Sequence, residues 1–98
     1  MKLSNNIRSI GSSAFKNCVN LSGVTISKNV SRINKESFYN CKKMVSLKIL
    51  SMHLNKKNVG ANAFKKTKIK KVNVPKKKKK AYKALLRSRG VSRKAKYK

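Results

Sequence analysis

Apolar and polar residues alternate in three short stretches of the chain: Val24-x-Ile26, Leu47-x-Ile49 and Val72-x-Val74. Period-2 alternation is the mark of a half-buried strand. It sends Thr25, Lys48 and Asn73 to the face opposite Ile26, Ile49 and Val74. After each strand position comes a polar turn and a second apolar pair, as at Val30 and Ile33. A compact segment follows, Ser13–Asn17 in one unit and Glu36–Asn40 in the next, and reads as a short helical turn. The spacing is fixed. Ile33, Phe38 and Cys41 repeat Ile10, Phe15 and Cys18 at one constant offset, and Leu47 and Ile49 repeat Val24 and Ile26 at the same offset. A period of this size marks stacked repeats, each of which buries its apolar side only against a neighbour. The pattern predicts an α/β repeat solenoid: about three strand–turn–short helix units over residues 1–75, and a C-terminal cap over residues 76–98.

Details refine the elements. Gly11, Asn34 and Gly60 precede the compact segments, and residues of these types tolerate a left-handed backbone. Asn17 and Asn40 close the segments and can adopt the same conformation. The third unit is irregular. Ile49 to Val59 spans ten residues, against seven from Ile26 to Ile33, which places an insertion around Ser51 to Asn58. Thr67 stands where Cys is expected, and the run to Val72 is one residue short. Pro75 reads as the first residue of a helix through Arg89, with Ala81, Tyr82, Leu85 and Leu86 on one face and Gly90 as its stop. Ala95 and Tyr97 mark a last short strand. At the other end, Met1-Lys2-Leu3 stands one full period before Val24-Thr25-Ile26, so the chain opens in phase. That predicts further repeats and a secretion signal upstream in the parent chain.

Charge changes the picture. Lys and Arg number 28 against a single acid, Glu36, for a formal net charge of +27. Such a balance suits nucleic acid, where cations displace condensed counterions, and equally suits an anionic wall, membrane or glycan surface. Lys supplies 23 of the cations and Arg five. Arg is the better reader of phosphates and base edges, so the excess of Lys favours diffuse electrostatics. From Lys65 onward lie 17 of the 28, including the unbroken run Lys76, Lys77, Lys78, Lys79 and Lys80. The run reads as a solvated or frayed helix start, with a polyanion patch as the functional alternative. No apolar run is long enough to span a membrane.

Chemistry is sparse. General acid–base work needs carboxylates or His, and the chain has one Glu and one His, His53. Glu36 reads as a surface charge, and His53 stands alone in the insertion. No catalytic residue, cofactor or metal is expected. Cys18 and Cys41 occupy equivalent positions and read as small buried apolar residues, with a disulfide between neighbouring units as the alternative. Phe15, Phe38 and Phe64 could present a stacking platform for bases, but their small apolar neighbours assign them to the core.

The unit I-x-x-I-G-x-x-A-F-x-N-C-x-x-L-x-x-V-x-I, from Ile7 to Ile26, closely resembles the BspA-type leucine-rich repeat. The next unit matches with Asn34 for Gly, Ser37 for Ala and Met44 for Leu. The tail VPKKKKKAYKALLRSRGVSRKAKYK resembles the segment that often ends such repeats in cell-surface proteins of host-associated bacteria. The resemblance implies a right-handed solenoid, an extracellular or cell-surface location, and protein or glycan binding and adhesion rather than catalysis. An anionic cell-wall polymer is a further possible partner. Partner contact is expected on the row Lys2, Thr25, Lys48 and Asn73, by analogy with the concave faces of repeat proteins. The alternative is a basic nucleic-acid- or polyanion-binding protein. It is less favoured because every residue held by the period is apolar, small or turn-forming, while Lys fills the free positions.

Overall fold

The structure is a computed structural model that describes residues 1–98. Two parallel sheets lie along the chain. β1 (Ser9–Ile10) pairs with β3 (Arg32–Ile33), while β2 (Gly23–Ile26), β4 (Ser46–Ile49), β5 (Lys71–Asn73) and β6 (Lys96–Tyr97) form a four-stranded sheet in that order. Parallel neighbours need a crossover of a dozen or more residues, and here the crossover is the rest of one repeat. Ser9 therefore faces Arg32, and Val24 faces Leu47, each partner one period further on. The third unit departs as its spacing requires. Three extra residues before Val59 put it opposite Ile33, at an offset of 26, and the one-residue deletion after it brings Val72 opposite Leu47, at 25.

One apolar cluster fills the space between the sheets. Ile26, Val30, Ile33 and Phe38 are fully buried in it, and it continues through Phe64 and Val72 to Tyr82, Leu85 and Leu86. The Phe rings form a stack. Phe15 and Phe38 lie 5.1 Å apart and Phe38 and Phe64 5.4 Å, with planes within 6°. The period thus places one aromatic in each layer, where it meets its equivalents face on.

The compact segments Ser13–Asn17 and Glu36–Asn40 are not helical. Each is a chain of turns with two left-handed residues: Ser13 and Asn17, Glu36 and Asn40, then Asn62 and Lys66, all with φ between 56° and 63°. The Ala14 N–H donates to the Gly11 carbonyl and the Cys18 N–H to the Phe15 carbonyl. Each is an i→i+3 bond over a left-handed third residue, as in a type II turn. Alternate N–H groups point away from the segment and bond the next unit. Ser13, Phe15 and Asn17 donate to Lys35, Ser37 and Tyr39, and Glu36, Phe38 and Asn40 donate to Ala61, Ala63 and Lys65. A helix would consume these donors internally. Bonding between units uses them instead, and a third ladder runs beside the two sheets. The left-handed residue also lies two positions later than Gly11, Asn34 and Gly60, none of which has positive φ. Gly60 is required for space, because a Cβ there would overlap the backbone of Lys35. Asn34 instead donates its side-chain amide to the Ile10 carbonyl at 2.7 Å.

The helix of the expected cap begins later than its sequence suggests. Pro75 stands outside the helix, ahead of a 3₁₀ turn (Lys76–Lys78), and α1 runs Lys79–Ser88. Tyr82, Leu85 and Leu86 are buried, whereas Ala81 is exposed: it sits too far round the helix to reach the core. Gly90 takes φ 115°, close against the Lys65 backbone. The insertion is where this cap is fastened. The Tyr82 hydroxyl donates to the Ser51 carbonyl at 2.8 Å and accepts from the Leu54 N–H at 3.2 Å. Arg89 reaches the carbonyls of Val59 and Lys56, and its own carbonyl accepts from the Phe64 N–H. The bond from the Phe64 N–H to the Arg89 carbonyl thus takes the place that the bond from Phe38 to Ala63 holds one unit earlier.

Candidate ligand-binding face of the four-stranded sheet

Strand alternation turns one face of the sheet to the core and leaves the other to solvent. The register puts Lys2 beside Thr25, Thr25 beside Lys48, and Lys48 beside Asn73. All four therefore lie in one row on the outer face. Lys2, Lys48 and Asn73 are exposed and Thr25 half-buried.

A parallel row lies two residues back along the strands: Gly23, Ser46, Lys71 and Lys96, each opposite the next. Lys98 extends the first row, since its N–H donates to the Val72 carbonyl and its carbonyl accepts from the Val74 N–H, on either side of Asn73. Between the rows is an open depression of about 410 Å³, lined by Thr25, Ser46, Lys48, Lys71, Asn73 and Lys98 among others. Lys96 and Lys98 escape a reading of the sequence because they follow the helix, outside the period of the first two units, and Lys71 stands just ahead of the apolar pair that marks its strand. Lys71 had a visible signal, standing two residues before Asn73 in the same alternation.

No acidic side chain compensates the lysines of this face. The single ion pair of the molecule, Lys16 Nζ to Glu36 at 3.0 Å, lies on the turn segments. Both side chains are partly exposed, and such a pair contributes under about 1 kcal/mol. Lys71 and Lys96 are direct cross-strand partners, an arrangement that like charges make unfavourable.

The run Lys76–Lys80 falls elsewhere. Lys76–Lys78 form the 3₁₀ turn, and Lys79 and Lys80 open α1, with no acidic residue in either first turn. Cations at a helix N-terminus oppose its dipole, so this run destabilises the helix start.

No three His, Cys, Asp or Glu side chains come together. Cys18 and Cys41 are free thiols, and Cys41 Sγ contacts the Phe15 carbonyl at 3.1 Å. Burial pushes the Cys41 thiol above its ordinary range, which keeps it protonated and poorly nucleophilic at neutral pH. No helix is long and apolar enough to cross a membrane.

Parallel strands that return once in every unit, with one ring of the stack per layer, define a repeat protein. Residues 1–89 match the family model described as BspA type Leucine rich repeat region (6 copies), and the chain belongs to that family. The family is one of protein-binding repeat modules, generally non-catalytic and typically surface-associated. No curated protein and no solved structure matches the chain.

Proposed function

We propose that the chain is a short leucine-rich repeat solenoid of about three units, residues 1–75, closed by a basic cap, residues 76–98. It serves as a non-catalytic binding module of a bacterial surface or secreted protein, engaging protein or glycan and supporting adhesion. The outer sheet face, with Lys2, Thr25, Lys48 and Asn73, is its contact surface. One observation carries this reading: the residues the period fixes are consumed by core and turns, and the sheet face is left polar and largely exposed.

The test is a panel of immobilised matrix proteins and glycans probed with the wild-type chain and with a Lys48→Ser, Asn73→Ala double variant. Binding should fall at least tenfold while the melting temperature stays within about 2 °C, as expected for exposed surface positions. Equal binding by both proteins would remove the sheet face as the contact surface. Labelling of intact cells with an antibody against the chain tests the surface location, and signal only after permeabilisation would overturn it.

The second reading, a basic polyanion-binding protein, is favoured by the charge of +27 and by the Lys76–Lys80 run. It predicts retention on heparin that depends on that run.

A further inference from the structure

We infer that the outer sheet face takes a linear anionic polysaccharide or polyol polymer, one that carries fixed sulfate or phosphodiester groups among free hydroxyls. The inference rests on the sheet face being the contact surface and assigns its ligand class.

Four observations carry it. First, the exposed cations of the face form a lattice. Lys71 and Lys96 sit on adjacent strands, about 5 Å apart along the hydrogen-bonding direction, and Lys48 and Lys98 are two strands apart, roughly 10 Å. Second, no acidic side chain reaches this face, and the Lys71–Lys96 pairing is one that like charges disfavour and that an anion between the ammonium groups would relieve. Third, the gaps in the lattice hold Thr25, Ser46 and Asn73, neutral groups that both donate and accept hydrogen bonds, as sugar or polyol hydroxyls require. Fourth, the lattice has the spacing of an extended polymer. Neighbouring strands lie about 5 Å apart, so successive lysines and neutral groups meet successive residues of a chain laid across them. Nucleic acid fits less well, because every cationic side chain on the face is Lys and none of Phe15, Phe38 and Phe64, the candidate rings for stacking on bases, leaves the core stack.

The general charge of the chain is separated from this site by two variants of equal net charge. One carries Lys48→Gln, Lys71→Gln and Lys98→Gln on the sheet. The other carries Lys76→Gln, Lys77→Gln and Lys79→Gln on the cap. Affinity for heparin, for poly(glycerol phosphate) and for single-stranded DNA is measured across a salt series of about 50 to 300 mM on the full chain. The expected result is a loss of tenfold or more for the sheet variant on heparin or poly(glycerol phosphate), with a salt slope shallower by about two. The cap variant should lose less than threefold. Heparin or poly(glycerol phosphate) responding alone identifies the anion as sulfate or phosphodiester. Equal losses by the two variants would overturn the inference in favour of diffuse charge, as would equal dependence of DNA binding on the sheet lysines. Thermal melts show whether each variant is folded. Should the sheet variant leave both polymers untouched yet abolish capture of a panel protein, the contact face stands and the anionic polymer falls.

Discussion

The two ends of the stack are built from the same positions and reach different states. At the first unit Phe15, Ile7, Cys18 and Leu21 are only partly buried. At the third, Phe64, Val59 and Ile69 are buried, because α1 and the chain after it cover them. The carbonyls of Lys35, Ser37 and Tyr39 each accept from the unit before, whereas those of Ser12, Ala14 and Lys16 have no backbone partner. Period alone therefore does not make a residue core. A layer is buried where another packs on it, as the chain from α1 onward packs on Phe64.

Truncating the ring stack tests this contrast most severely. Phe38→Ala and Phe64→Ala should each cost about 3–5 kcal/mol, the range for a fully buried ring. Phe15→Ala removes a ring that is only partly buried and should cost about half as much. Urea unfolding measures all three, and equal losses would mean that the ends are energetically alike.

Glycine substitutions at equivalent positions probe the same difference. Gly60→Ala drives a methyl into the Lys35 backbone and should destabilise by about 1–3 kcal/mol. Gly11→Ala meets nothing within 4 Å and needs no positive φ, so it should stabilise by about 0.4–1 kcal/mol through the unfolded chain. Urea midpoints of the two variants that moved in the same direction would contradict the asymmetry.

Tyr82→Phe tests the clasp between cap and insertion. It leaves the Ser51 carbonyl and the Leu54 N–H without their partner and should cost about 1–2 kcal/mol. Burial raises the Tyr82 phenol above its ordinary range, with the Leu54 N–H acting in the opposite direction. Burial raises Tyr97 likewise. The native state therefore holds these protons longer than the unfolded chain does. Their contribution is complete below about pH 10, the unfolded value, and is lost as pH rises through the folded values. Alkaline titration of phenolate absorbance should show late, unfolding-linked steps, one of which disappears in Tyr82→Phe.

The smallest expected effect is a gain. Asn40 donates its amide to Asn17 Oδ1 at 2.7 Å, but its own Oδ1 is buried without a partner. Lys66 holds the next left-handed position. Lys66→Asn supplies a side chain better suited to that backbone and a donor for Asn40, and should stabilise by about 0.5–1 kcal/mol. An unchanged urea midpoint would show that the row of Asn side chains does not extend to the third unit.

The period, the strands and the buried side of each are legible in the chain before any fold is known. They follow from side-chain spacing, which survives as a pattern whatever the fold does. The insertion and deletion even predict the offsets of 26 and 25. Residues between Gly11 and Cys18 carried a helix-like signal and form turns, because the choice between helix and turn rests on where N–H groups find carbonyls. Only the neighbouring units, a full repeat away along the chain, decide that. Tyr82 was legible as apolar and helical, yet its hydroxyl partners lie in an insertion that looked like a loop on the surface. The lysines at positions 71, 96 and 98 were legible as charge and gained a location only when the register brought β5 and the chain through β6 side by side. Local spacing is written in the chain. Which distant backbone and which distant charge meet is settled by packing, since those contacts join segments that share no local pattern.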